Sequence, residues 1–345
     1  MSEQVKNLNI TRQEVLQISQ IILEKFGSSK IYAQSVSESL VQAQEAGHAS
    51  HGIIRLLEYT DSIKNGVIDP TAAPTILREE GSTAVIDAHW GWGQVACKFA
   101  VEVAASKARE FGVAAISINS CNHIGRVGEY IELLAQENLI SMMWCNADPA
   151  VAAFGGSQRL FGTNPFAVGI PSNDEPVIID FATAASAEGK LRVARANGSS
   201  IPTGVVIDKD GKDSMDPEDF YSGGALLPFG GHKGYCLSLM IELLGGALSG
   251  NHPSMNSGYT HGYGPVLIAI DPAKFFGLSF FKSEISEATK AIRLSKPTDP
   301  NQPVLVPGDV ENIQRLKNSP EIQISEVIWS SIVELSLSSP LKVVL

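Results

Sequence analysis

Apolar residues recur along this chain with two periods, and the period changes with position. Near the start, Val15, Ile18, Ile21, Ile22 and Phe26 follow helical spacing. Thr11-Arg-Gln-Glu14 ahead of them is a capping box, in which the hydroxyl accepts from the N3 amide and the glutamate reaches back. The spacing predicts further helices over 29–46, with Val36, Leu40 and Ala43 on one side, and over 51–64. From Gly81 short apolar runs take over. Residues 84–87 and 113–118 read as strands around a helix at 94–111, followed by a helix at 127–136 and strands at 139–144, 166–170, 177–179 and 266–270. Residues 234–248 read as a helix buried on most of its circumference, and 280–294 and 309–336 are helical again. The layout is helical at both ends around an α/β middle.

Composition narrows the class. Hydrophobic residues make up 44 % of the 345 and charged residues 18 %, enough apolar surface to offset chain entropy. Lys and Arg number 26 against 37 Asp and Glu, a net charge of −11, which disfavours a nucleic-acid partner. No apolar run approaches the roughly 20 residues that a membrane span needs, and residues 1–9 are polar, without the apolar core of a leader. Cys97, Cys121, Cys145 and Cys236 form no CxxC pair, so they read as buried thiols in a reducing cytoplasm.

Three stretches carry candidate chemistry. In Gly47-His-Ala-Ser-His-Gly52, continued by Arg55 and Tyr59, the spacing His51, Arg55, Tyr59 puts an imidazole, a guanidinium and a phenol on one helix face. Ser50 adds a hydroxyl able to orient an imidazole. A second cluster, Asn119-Ser-Cys-Asn-His123-Ile-Gly-Arg126, lies between a strand and a helix, where ligand-binding groups collect. A third, Pro228-Phe-Gly-Gly-His-Lys-Gly-Tyr235, opens a helix whose amides and Lys233 suit an anion. Two other readings compete with these. Gly91-Trp-Gly93-Gln-Val-Ala96 mimics a Rossmann fingerprint, but the second strand ends at Ile118-Asn119-Ser120 without the acid that binds ribose. The alternative of a metal-dependent hydrolase using His48, His51 and His123 lacks HExxH, and two histidines at i, i+3 are an incomplete zinc set, so no metal is expected.

Taken together, these motifs with Gly162-Thr-Asn-Pro165, Asp180-Phe-Ala-Thr183 and Pro307-Gly308 resemble the malate/L-lactate dehydrogenase type 2 family over about residues 37–307. Ala187-Glu-Gly-Lys-Leu-Arg192 and Gly230-Gly-His-Lys-Gly234 resemble its hydroxycarboxylate dehydrogenase branch. The resemblance implies an enzyme that interconverts a 2-oxo acid and a 2-hydroxy acid with NAD or NADP. Its members act on malate, lactate, ureidoglycolate, sulfolactate, diketogulonate or cyclic imino acids.

For the fold, the resemblance implies an α/β (α+β) chain with a non-Rossmann, mixed, mainly antiparallel sheet and a helical domain formed by both chain ends. The boundaries would be 1–75 for the helical, substrate-side domain, 76–270 for the nucleotide domain and 271–345 for helices returning to the first. A homodimer is implied, to which the apolar faces bearing Ile21, Phe26, Leu40 and Ile328 also point. The resemblance further makes His51, oriented by Ser50, the acid/base on the substrate side, with His123 as its rival at the nicotinamide end and Arg55 pairing with the carboxylate. The cofactor would meet His48, Asn122, His123, Ile124, Asp180, Phe181, Ala182, His232, Lys233, Pro307, Gly308 and Asp309. Asp309 stands where many members carry Glu, and Lys190 where imine-reducing members carry an acid.

Overall fold

The computed structural model of the chain describes residues 6–337. Helix Arg12–Lys25 starts at the capping box, with the Thr11 side chain accepting from the Glu14 amide and Glu14 reaching back. It packs on helix Lys30–Glu45, and together they bury Val15, Ile22, Leu23, Val36 and Leu40 against Ile322, Ile324 and Ile332 from the far end of the chain. The two ends are tied by an antiparallel ribbon of Asn7–Thr11 and Glu321–Ser325.

Two expectations are corrected here. Residues 309–336 are not continuous helix but helix Asp309–Lys317, strand Glu321–Ser325 and helix Glu326–Leu337. Ile322 and Ile324 both point inward, an alternation that belongs to a strand. Phe26 and Leu40, expected to require a second subunit, are closed inside this chain's own core.

The middle of the chain forms a seven-stranded sheet in the order Thr75–Glu80, Thr83–Asp87, Val113–Asn119, Pro265–Ile270, Ile140–Cys145, Phe166–Ile170, Val177–Phe181. Only Thr83–Asp87 and Val113–Asn119 run parallel; every other neighbour is antiparallel. The sheet is therefore mixed and mainly antiparallel. Helix Gly93–Phe111 lays an alanine row, Ala96, Ala100, Ala104 and Ala108, over Ile86, Ile116 and Ile118. Side chains this small let helix and sheet approach closely, and cutting Ile116 to alanine would cost about 2–5 kcal/mol. A five-stranded sheet of two- and three-residue strands, including Val151–Ala152, Arg159–Phe161 and Ala225–Leu226, forms a separate layer that periodicity could not reveal.

Helix His232–Leu248 reverses the expected burial. Its inward stripe is Gly234, Ser238, Ile241, Glu242, Gly245 and Gly246, while Leu243, Leu244 and Leu248 are exposed. The cause is polar. The buried Glu242 carboxylate accepts from Asn146 Nδ2 at 3.0 Å, Asn164 Nδ2 at 2.9 Å and the Ser254 amide at 2.7 Å. A buried carboxylate needs such partners, and they fix which face turns inward. Cys236 on the same helix is also exposed, contrary to expectation, whereas Cys97, Cys121 and Cys145 are buried free thiols. Among the described residues no helix is long and apolar enough to cross a membrane.

Candidate active site

The histidine motif folds differently from its sequence reading. Ala49–His51 is a short 3-10 turn, Gly52 is extended, and the helix begins only at Arg55 and runs to Lys64. His51 therefore does not share a continuous helix face with Arg55. The extended Gly52 lies against the Gln44 side chain, whose carboxamide oxygen a Cβ there would strike. Arg55 meets the motif at Ser50 instead: its Nε donates to the Ser50 carbonyl at 2.7 Å, and its guanidinium also donates to Glu58 at 2.5 Å. Ser50 Oγ lies 3.1 Å from His51 Nδ1, as the hydroxyl-imidazole pairing requires.

His123 arrives from the other side, on the loop after strand Val113–Asn119. A Cβ on Gly93 would strike the carbonyl oxygens of Asn122 and His123. The glycine is thus needed for this close approach at the start of helix Gly93–Phe111. The two imidazoles stack, with centroids 5.7 Å apart and planes inclined by 16°. Behind them, Tyr59 Oη is 2.7 Å from His123 Nδ1 and accepts from Gln94 Nε2 at 2.7 Å. Tyr263 closes the far edge of His123.

Burial controls the charge of this group. Loss of hydration, reinforced by the Arg55 and then the His48 charge, pushes His51 down to about 3. Burial, then Arg55 and His51, likewise hold His123 well below the ordinary imidazole range. Burial keeps the Tyr59 phenol protonated. In the resting site both rings are neutral and Arg55 carries the positive charge.

A second cluster adjoins the first through His48, whose Nε2 is 3.4 Å from Glu311 Oε1. Asp180, at the end of its strand, accepts from the Gly128 amide at 2.8 Å. Burial raises its pKa against the opposing charge of Arg126. Gly308 has φ 102 and seats Pro307, whose carbonyl accepts from the Ile178 amide at 3.1 Å. Phe181 meets Phe229 edge-on, which leads to the exposed His232 and Lys233 at the start of their helix. The helix N-terminus and positive-φ Gly230 and Gly231 leave backbone amides for a phosphate. The Arg126 Nε is buried without a partner, beside a small cavity lined also by Gly308 and Glu311. An orphaned guanidinium N–H at one end and free amides at the other fit a dinucleotide.

Some expected contacts are already committed within the chain. Asn122 Nδ2 donates to the carbonyls of Val67, Trp90 and Gly91, and Tyr130 bonds the Ile124 carbonyl. Asp309 is held by Arg293 at 2.8 and 3.0 Å and by the Val306 amide at 2.8 Å. Gln94, Tyr263, Arg126 and Glu311 join the site only in the fold, and the sequence pattern alone does not mark them as site residues.

Comparison with known proteins agrees with this geometry. The family model described as malate/L-lactate dehydrogenase matches residues 10–333. The chain belongs to the malate/L-lactate dehydrogenase family. It is 36 % identical over 337 residues to an L-sulfolactate dehydrogenase of Methanothermobacter thermautotrophicus, covering 95 % of this chain and 96 % of that protein. It is also 36 % identical to a Delta(1)-pyrroline-2-carboxylate reductase of Burkholderia ambifaria, covering 80 % and 84 %. The solved sulfolactate dehydrogenase of Methanocaldococcus jannaschii superposes with a TM-score of 0.87 at 33 % identity, covering 95 % and 96 %.

The protein is an NAD(P)-dependent oxidoreductase interconverting 2-oxo and 2-hydroxy acids. The Rossmann and hydrolase alternatives are not supported. The sheet is mainly antiparallel, and Gly91 and Gly93 serve packing against Ala72 and the 122–123 backbone. Among the described residues no three His, Cys, Asp or Glu side chains are grouped to hold a metal.

Proposed function

We propose that this enzyme reduces a 2-oxo acid bearing a second acidic group, with Arg55 holding the C1 carboxylate and His51 giving the proton. The observation that carries this reading is one cluster in which Arg55 adjoins Ser50 and His51 stacks on His123. A guanidinium fixes a carboxylate in orientation as well as charge. Neutralising Arg55 in this way removes one cause of the low His51 pKa, so binding of the acid favours protonation of the ring that must donate. When bound, the reduced nicotinamide supplies hydride to the carbonyl carbon. His51 then protonates the resulting alkoxide, and Ser50 keeps the ring aimed.

Two observations support the second acidic group. The sulfolactate dehydrogenases among the relatives act on such an acid by name. Gly189 packs against the Ser50 Cβ, and its neighbour Lys190 is exposed without a carboxylate partner among the described residues. A cation there also disfavours the acid-assisted imine chemistry of other relatives. The cofactor runs from His123 past His48, Asp180, Phe181 and Ala182, with Pro307, Gly308 and Asp309 forming one wall and His232 and Lys233 at the phosphate end. This arrangement is consistent with the hydroxycarboxylate dehydrogenase branch and with a division at residues 75 and 270.

The working unit in this proposal is a cytoplasmic homodimer. The exposed Leu243, Leu244 and Leu248 stripe supports a second copy, since a leucine face is costly to leave in water. The free buried thiols support a reducing compartment. Assay of oxaloacetate, sulfopyruvate, pyruvate and a cyclic imino acid with NADH and NADPH tests the reading. Preference for the two diacids supports it, and preference for pyruvate or the imine overturns it. An active monomer in sedimentation at micromolar protein would refute the dimer.

A further inference from the structure

Tyr59 and Gln94 lie behind the two histidines and are fully buried or nearly so. We propose that Gln94, acting through Tyr59, holds His123 as the tautomer with its proton on Nε2, so that His123 is a fixed donor to the reacting oxygen while His51 exchanges the proton. This inference rests on the reading above, in which both rings face the substrate, and it assigns them different tasks.

The argument follows the hydrogens. Gln94 Nε2 can only donate, and it donates to Tyr59 Oη at 2.7 Å. The phenol has one hydrogen of its own, and His123 Nδ1 stands 2.7 Å away. If that hydrogen is given to Nδ1, the nitrogen carries none, and a neutral ring then has its proton on Nε2. Burial keeps the phenol protonated, so it always has this hydrogen to give. Turning the amide over would reverse every link: the phenol would donate to Oε1, Nδ1–H would donate to the phenol, and Nε2 would become an acceptor.

The observed orientation leaves Gln94 Oε1 buried with no partner. Orphaned acceptors in a native interior are few and call for a reason. Here the reason is the direction imposed on Tyr59. In the reduction, hydride adds to the carbonyl carbon, the oxygen takes a proton from the His51 imidazolium, and the His123 Nε2–H bonds that oxygen without leaving the ring. Only one ring changes charge, as the stacking of two would-be cations requires.

The test is the 15N spectrum of histidine-labelled enzyme, free and with NADH and oxamate, with the His123 resonances identified by their loss in His123→Gln. A bare Nδ1 and a protonated Nε2 are expected in the wild type. Gln94→Glu, whose carboxylate only accepts, should move a proton onto Nδ1. Tyr59→Phe should let the two tautomers mix. Both variants should lose kcat by about 10- to 100-fold with little change in KM for the oxo acid, and the double variant should be no worse than either. A proton on Nδ1 in the wild type would overturn the proposal. So would a Gln94→Glu enzyme with unchanged tautomer and kcat. Full turnover by His123→Gln would instead sink the reading of the site, whatever the tautomer.

Discussion

The ring of His51 lies over that of His123, centroids 5.7 Å apart and nearly parallel, although 71 residues separate them in the chain. Two imidazolium ions at this distance repel, so protonation of one opposes protonation of the other, and each ring is held down in part by its neighbours. A site built this way carries one exchangeable proton, and the two rings are separable by substitution.

His51→Gln is expected to lower kcat by about 10²–10⁴-fold and to remove the limb of the pH–rate profile that reports the acid/base, with NADH binding retained. His123→Gln should lose kcat while keeping that limb. If the limb disappears with His123 and survives without His51, the roles are reversed.

Arg55→Ala should act mainly on substrate binding. Loss of a charge-assisted bond to the carboxylate corresponds to roughly 1.5–3 kcal/mol, or about 10- to 150-fold in KM. Steady-state kinetics with oxaloacetate would show it, and an unchanged KM would remove Arg55 from the carboxylate. Glu58 competes for the same guanidinium, so Glu58→Gln should leave KM equal or a few-fold lower.

Stability should fall on acidification below about pH 6.5. His51 and His123 have folded pKa values below the ordinary 6.5, so the unfolded chain binds their protons first as pH drops. Their contribution is therefore present above the unfolded value and is lost as pH falls toward about 3 for His51. The slope is about 1.4 kcal/mol per pH unit for each proton taken up. Denaturant midpoints measured between pH 7 and 5 should fall less steeply in His51→Gln than in the wild type; parallel slopes would show that the ring is not buried neutral.

Lys190→Ala should raise KM for sulfopyruvate and oxaloacetate several-fold while leaving pyruvate unchanged, because only the diacids present a second anion. The contact is exposed, so an effect of roughly 0.2–1 kcal/mol is the scale to expect. Equal changes for all three acids would remove Lys190 from substrate recognition.

Some of this protein was readable along the chain because the cause was local. Thr11 and Glu14 are three residues apart and cap a helix wherever the chain goes next. Ser50, His51, Arg55 and His123 stood out because their chemistry is carried by residue type, and the family motifs preserve their order. Tertiary structure decided what depended on residues remote in sequence. Asn7–Thr11 becomes a strand only because Glu321–Ser325 lies beside it. Arg55 is tied to the histidine motif through the Ser50 carbonyl rather than across a helix face, since the extended Gly52 separates the 3-10 turn from the helix. Helix His232–Leu248 turns its glycines and Glu242 inward because Asn146, Asn164 and Ser254 supply the bonds a buried carboxylate needs. Gln94 had no mark in an apolar helix start; its role comes from a phenol 35 residues away. Periodicity reports which face of an element is apolar, but a polar contact across the core has no period, and only the folded chain can bring its two halves together.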